Sequence, residues 1–215
     1  MKLRTVWLGR LGYREALALQ ERLRAEVLAG GEEQLLLLEH DPVVTLGRSA
    51  RSEHILDADA LRARGIVLET SSRGGQVTYH GPGQLVAYAI LRLDRGIVAH
   101  VEALCDAAVA VAREWGVSAR YRRDCPGVWV EERKLASVGV HVHKRVTMHG
   151  LALNVATALD PYSLIVACGS GARATSLALE SGRHPTLSDA AVSYARAFAQ
   201  LVGREPFLSA APPLE

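Results

Sequence analysis

The sequence predicts an α/β fold of the α+β type: a single domain over residues 1–215 in which a mixed, mostly antiparallel sheet is flanked by helices. Three observations carry this expectation. Several strand-like segments follow one another without helices between them, above all over residues 117–155, so a regular alternation of strand and helix fits poorly. Apolar residues recur at helical spacing over residues 13–28, 98–115 and 186–202. The chain shows no repeat, low-complexity stretch or linker composition, and its 215 residues suffice for a full core without staples.

Residues 3–8 read as the first strand and residues 13–28 as a helix stopped by Gly30 and Gly31. Residues 34–39 and 43–46 read as strands separated by His40, Asp41 and Pro42, and residues 57–64 as a short helix closed by Gly65. A polar, glycine-rich block then leads into residues 84–93, whose length and alternation suit a strand. A second long helix spans residues 98–115 and ends at Gly116. Residues 117–155 are strand-like, punctuated by Gly127, Gly139 and Gly150, and Asn154 and Val155 open into a looser region. The last helix, residues 186–202, takes Thr186 or Ser188 as its cap and Gly203 as its stop. Residues 206–215 are expected to fray.

Composition narrows the function classes. The 49% hydrophobic content is spread along the chain, and no run approaches the roughly 18 apolar residues of a membrane span. Charges at Arg10, Arg14 and Glu15 interrupt any signal region after Met1, so a cytoplasmic protein is expected. A net charge of +2 with scattered basic residues gives no argument for nucleic acid. Cys105, Cys125 and Cys168 cannot all pair and none are spaced as C-x-x-C, which disfavours a disulfide scaffold or a structural zinc site. Cys105 falls in a helical pattern as a small buried hydrophobe, and Cys125 precedes a turn at Pro126 and Gly127. Cys168 follows an apolar run and opens onto Gly169, a placement that suits an exposed nucleophile.

The block from Arg73 to Gln84 (Arg73, Gly74, Gly75, Gln76, Val77, Thr78, Tyr79, His80, Gly81, Pro82, Gly83, Gln84) is the strongest signal. Glycine permits positive φ and close approach of another molecule to the main chain, while Arg, Thr, His and Gln supply a cation and hydrogen-bonding groups. An ordinary turn needs fewer glycines, so the block reads as a binding loop. Only Lys2, Lys134 and Lys144 are lysines among 25 basic residues, which singles out Lys134. With apolar neighbours it is either a desolvated, proton-exchanging lysine that favours a nearby thiolate or a solvated surface residue. His80 and His149 sit in glycine-flanked segments and either orient a substrate or support the structure. His141 and His143 share a strand face but lack a third ligand, so no metal is expected.

Together the Arg73–Gln84 block, Lys134-Leu135-Ala136-Ser137-Val138-Gly139, His149-Gly150-Leu151-Ala152-Leu153-Asn154 and Cys168-Gly169 resemble the bacterial octanoyltransferase family of lipoate biosynthesis. Leu46-Gly47-Arg48 and Gly127-Val128-Trp129-Val130 also match, and the order and spacing agree over nearly the whole chain. The resemblance implies a fold similar to lipoate and biotin protein ligase catalytic domains. It implies transfer of an octanoyl group from octanoyl-acyl carrier protein to a lysine of lipoyl domains, those of 2-oxoacid dehydrogenase E2 subunits and of the glycine cleavage H protein, with no cofactor. It makes Cys168 the acyl-accepting nucleophile and Lys134 the residue that lowers its pKa and acts as general acid and base. Arg73, Gly74, Gly75, Gln76, Val77, Thr78, Tyr79, His80, Ser137, Val138, Gly139, Gly150, Leu151 and Ala152 would line the acyl pocket, with His149 and Asn154 in support. Two places depart from the family pattern: Ala167 stands where proline is usual, and Ser170 and Gly171 where a more apolar residue follows.

The chemistry of the residues agrees with that implication. A cysteine exchanges readily with a thioester, and amide formation then draws the reaction forward in a second step. The carbonyl oxygen needs donors as it gains charge, for which the amides near Gly139 and Gly169 are candidates. Two rivals remain: an ATP-dependent lipoate or biotin ligase, which needs no cysteine, and a non-catalytic acyl-binding protein, which needs neither Cys168 nor Lys134. A cysteine hydrolase is weaker, since no Cys-His pair stands out.

Overall fold

Leu35, Leu36, Leu37 and Leu38 are buried on both faces of the segment that holds them, as befits a strand at the centre of a covered sheet. In the computed structural model, which describes residues 2–167 and 171–209, they belong to β2 (Gln34–His40) of an eight-stranded sheet. The other members are β1 (Lys2–Leu11), β6 (Gln84–Ile90), β7 (Arg120–Arg122), β8 (Gly127–Val130), β9 (Arg133–His143), β10 (Val146–Asn154) and β11 (Glu205–Ser209). The order is β11-β1-β2-β6-β10-β9-β8-β7. β1 runs parallel to β2 and β11, and the remaining neighbours are antiparallel. A three-stranded sheet, β4-β3-β5, is built from β3 (Val43–Leu46), β4 (Val67–Thr70) and β5 (Val77–His80).

The period-two alternation of β2 decides which helix covers which face. Leu36 and Leu38 pack with Leu19 and Leu23 of α1 (Tyr13–Leu28). Leu35 and Leu37 turn the other way, toward Leu104 of α3 (Gly96–Glu114) and Tyr194 and Phe198 of α5 (Leu187–Leu201). Helix starts follow their caps: Asp57 Oδ1 accepts the Ala60 N–H at 2.8 Å ahead of α2 (Ala58–Ala63), and Thr186 Oγ1 accepts that of Asp189 at 3.1 Å. Thr186, not Ser188, is therefore the cap of the last helix. No helix among the described residues is long and apolar enough to cross a membrane.

The expected mixed, mostly antiparallel sheet with flanking helices is the observed one, and four local differences have physical causes. The glycine block is not a loop throughout: β5 occupies its centre, held by pairing with β3. β4 is a four-residue strand too short to show a period by itself. The looser region after Val155 holds a 3₁₀ turn at Asp160–Leu164 and α4 (Leu177–Ser181). The expected frayed tail instead supplies β11 as far as Ser209. It is placed by backbone pairing with Lys2 through Val6, and Arg204 anchors its start to Glu33 at 3.0 Å and Asp94 at 2.8 Å. Pro206 is tolerated because β11 lies at the sheet edge.

Gly150 sits on β10 between β6 and β9, where a Cβ would stand 2.0 Å from the Ala87 carbonyl oxygen. Gly150→Ala should force these strands apart and destabilise the fold by about 1–3 kcal/mol. The measurement is the urea midpoint at unchanged slope, and an unmoved midpoint would contradict the close strand packing.

Candidate active site

A cavity of about 480 Å³ lies between β5 with its preceding loop and one face of β6, β9 and β10, within the range of about 300–1,000 Å³ usual for small-ligand sites. Its floor is made by strand rungs: Ser137, Ala152 and Val86 in one, Gly139, Gly150 and Tyr88 in the next. Small side chains over successive rungs leave a groove there, while Tyr88 and Tyr13 supply bulk at its side. Near Lys134 the lining passes to Asp124, Cys125 and Pro126 ahead of β8, and to Ile97 and Val101, one turn apart on α3.

Close backbone approach explains two of the glycines, and a positive φ explains a third. A Cβ on Gly47 would lie 2.5 Å from the Gly75 carbonyl oxygen, and one on Gly139 would lie 2.8 Å from that of Gly74. Gly75 has φ +84, a left-handed conformation that favours glycine. The loop can thus settle onto β9, where the Gly74 N–H donates to the Val140 carbonyl at 3.0 Å.

A directed run of hydrogen bonds fixes the block. Arg73 Nε and Nη2 donate to Thr45 Oγ1 at 3.2 and 2.8 Å, Nη2 also to the Thr45 carbonyl at 2.8 Å, and Nη1 to the Gly74 carbonyl at 3.1 Å. Since Arg can only donate, the Thr45 hydroxyl hydrogen is left for His80 Nε2 at 3.3 Å. His80 Nδ1–H then donates to Gln84 Oε1 at 2.7 Å, and Gln84 Nε2 donates to Asn154 Oδ1 at 2.9 Å. Asn154 Nδ2 donates to the Thr175 carbonyl at 2.9 Å, and the Thr175 N–H to the Lys134 carbonyl at 2.9 Å.

Lys134 is buried, its Nζ donating to the Pro126 carbonyl at 3.1 Å and standing 5.1 Å from the centre of the Trp129 ring. Gly127, at φ +151, makes room: a Cβ there would come within 2.5 Å of Lys134 Cε. The Lys134 N–H donates to the Arg173 carbonyl at 2.8 Å, so both backbone groups of Lys134 are held by the segment just after Gly171. Cys168, with Gly169 and Ser170, lies outside the described residues.

Burial keeps the histidines in and beside the cavity neutral. It pushes His40 down to about 4 from 6.5, against the raising effect of its bond to the Leu11 carbonyl. Burial, then the Arg73 guanidinium, takes His149 down to about 3, and burial with the nearby His40 and Arg73 holds His80 well below its ordinary value. His40 Nδ1–H donates to the Leu11 carbonyl at 2.9 Å, so Nε2 accepts the Tyr88 hydroxyl at 2.7 Å and locks that ring at the cavity side. His149, at φ 60, donates its backbone N–H to Gln20 Oε1 at 2.8 Å and meets Ser72 Oγ at 3.0 Å through Nε2.

Most of the residues singled out in the sequence share this cavity: Arg73 through Thr78, His80, Lys134, Ser137 through Gly139, His149, and Gly150 through Ala152. Tyr79 does not line it; alternation along β5 turns its ring to the opposite side, against Tyr162 at 5.7 Å. Asn154 lies outside the lining and acts through Gln84 and Thr175. Cys105 is a buried core residue whose thiol is pushed up to about 12 by burial, and Cys125 sits in the turn before β8. Sequence reasoning missed Tyr13, Tyr88, Val86 and Cys125 as lining residues. Alternation from Gln84 could have found Val86 and Tyr88, whereas nothing local marks Tyr13 or Cys125.

Residues 12–199 match the family model described as the lipoyl protein ligase A/B catalytic domain. An octanoyltransferase of Geobacter metallireducens is 44% identical over 212 residues, covering 96% of this chain and 97% of that protein. One of Solibacter usitatus is 43% identical over 199 residues, 90% of each. Among solved structures, lipoate-protein ligase A bound with ATP superposes with a TM-score of 0.81 at 18% identity, covering 100% of this chain and 91% of that one. The biotin protein ligase of Aquifex aeolicus gives 0.56 at 14% identity, covering 94% and 70%. At such identities these two show the fold alone.

Histidines held neutral below their unfolded value of 6.5 make stability depend on pH. The unfolded chain binds more protons, so their contribution is present above about pH 6.5 and is lost as pH falls toward 4, with up to about 1.4 kcal/mol per pH unit from each. His100, pushed to about 4 by burial and remote from the cavity, has neither ring nitrogen bonded among the described residues. Urea unfolding from pH 7 to 5 should show falling stability, with a shallower slope in His100→Leu; equal slopes would exclude His100 from the effect.

Proposed function

The chain belongs to the lipoyl protein ligase A/B family and, within it, to the octanoyltransferases, and we propose that it carries an octanoyl group from octanoyl-acyl carrier protein to a lysine of lipoyl domains through a thioester on Cys168. The observation that most supports this reading is the buried Lys134 at one end of a groove floored by Ser137, Gly139, Gly150 and Ala152. Its backbone is bonded to Arg173 and Thr175, which follow Cys168 closely in the chain. A groove of small residues admits a slender acyl chain, and the Arg73, His80, Gln84 and Asn154 side chains beside it are bonded to one another and to the protein.

In this reading the Cys168 thiolate, stabilised by the Lys134 ammonium, attacks the thioester carbonyl of the donor. A carbon–sulfur bond forms to Cys168, the bond to the carrier sulfur breaks, and Lys134 gives that sulfur its proton. The acceptor amine then attacks the Cys168 thioester and passes a proton to the now neutral Lys134. The Cys168 thiolate leaves and the cation is restored. The donor is already activated, so no nucleotide or other cofactor takes part. The acceptors are the lipoyl domains of 2-oxoacid dehydrogenase E2 subunits and the glycine cleavage H protein, and the site of action is the cytoplasm.

Incubation with octanoyl-carrier protein should add one octanoyl mass that hydroxylamine releases, lost in Cys168→Ala and kept in Cys105→Ala and Cys125→Ala. Normal acylation of Cys168→Ala would overturn the mechanism, and strict dependence of transfer on ATP would place the chain among the ligases whose fold it shares. Lys134→Arg separates charge from proton transfer, because Arg holds its proton at any working pH. Single-turnover transfer should fall nearly as far in Lys134→Arg as in Lys134→Ala, by about a hundredfold to ten-thousandfold. Near-normal transfer by Lys134→Arg would leave only an electrostatic role.

A further inference from the structure

Buried polar atoms are almost always hydrogen-bonded, and those that are not call for an explanation. Among the described residues, two such side-chain atoms belong to residues that line the cavity, Gln76 Oε1 and Thr78 Oγ1. Thr78 is only 4% exposed. Its cross-strand neighbour Thr45 commits its hydroxyl to Arg73 and His80, and His80 commits both ring nitrogens to Thr45 and Gln84. Neither can therefore serve Thr78.

The position of Thr78 says what its hydroxyl can meet. The block is pinned at one end by the Gly74–Val140 bond and at the other by the bond from Gln84 to Asn154. Thr78 lines the cavity between these pins along the block: Gly74 before it is bonded to Val140, and Gln84 after it begins the run through Asn154 and Thr175 that ends at the Lys134 carbonyl. The Gly139 amide, a donor candidate by sequence, is not free for this task. Backbone groups alternate sides along a strand, and since the Val140 carbonyl faces Gly74, the Gly139 N–H faces β10 within the ladder. A saturated acyl chain brings a single polar centre into the groove, its thioester carbonyl.

We propose that the Thr78 hydroxyl receives that carbonyl oxygen and stabilises the oxyanion formed when Cys168 attacks, and again when the acceptor amine attacks. This rests on the octanoyl-transfer reading. The hydroxyl donates a hydrogen bond and keeps its proton; the charge on oxygen returns to the carbon–oxygen double bond as the sulfur departs. The same hydroxyl is buried without a partner among the described residues, so a methyl group of nearly the same shape should sit there at no loss of stability. Thr78 thus trades stability for a bond made during the reaction.

The test compares wild type, Thr78→Val and Thr78→Ser in single-turnover acylation by octanoyl-carrier protein, followed by intact mass, with the thermal midpoint of each. Thr78→Val should acylate about a hundredfold to a thousandfold more slowly at saturating donor. Its half-saturating donor concentration should be little changed, its midpoint equal or higher, and Thr78→Ser should recover most of the rate. A wild-type rate in Thr78→Val overturns the proposal. So does a fallen midpoint with Thr78→Ser as slow as Thr78→Val, which would mark a structural residue. An absent adduct on wild type would instead sink the octanoyl-transfer reading, and this proposal with it.

Discussion

The run of hydrogen bonds from Arg73 to the backbone of Lys134 is the constraint on which the rest of the site depends. It has a direction because its first member, a guanidinium, can only donate. That fixes the hydrogen on Thr45, the tautomer of His80, the orientation of the Gln84 amide and that of Asn154. No link can reverse without leaving another unpaired in a buried setting, which costs about 1–3 kcal/mol for each orphaned group. The three-stranded sheet, the end of β10 and the segment on Lys134 are thereby one rigid unit, although they come from distant parts of the chain.

This constraint reconciles an apparent contradiction in the cavity. Its walls include Arg73, Thr78, His80, His149, Tyr13 and Tyr88, yet the groove suits an apolar guest. The Arg73 and His80 bonds point back into the protein, burial keeps the histidines neutral, and β9 and β10 contribute only Ser, Gly and Ala to the two floor rungs. The polar residues thus act as scaffold and leave the groove mostly apolar. In the transfer proposed above, the thioester carbonyl and the exchanged protons would be handled at few positions, with Lys134 foremost.

Much of the site was legible because it was encoded locally. The density of glycine and polar groups in one block marked the loop, and the scarcity of lysine in an arginine-rich chain marked Lys134. A loop reading of the block cannot place Tyr79, because neighbouring side chains of a loop have no fixed sides. Once Val77–His80 is a strand, alternation sends Gln76, Thr78 and His80 to the cavity and Tyr79 away from it. The tail escapes local reading for a related reason: a short segment containing Pro206 has little strand propensity, and the open edge of β1 gives it a partner.

By itself the sequence determined the periodicities, hence the principal strands and helices, the caps and stops, and the residue types that carry the chemistry. Those properties depend on neighbours within a few positions, and local spacing suffices to express them. The tertiary structure alone decided which faces meet. It set the small sheet over β9 and β10, brought Tyr13 and Tyr88 to the same cavity, turned the Gly139 amide into the ladder, and left the Thr78 hydroxyl buried without a partner among the described residues. Whether a buried donor is satisfied depends on groups tens of residues away, and no local pattern carries that information.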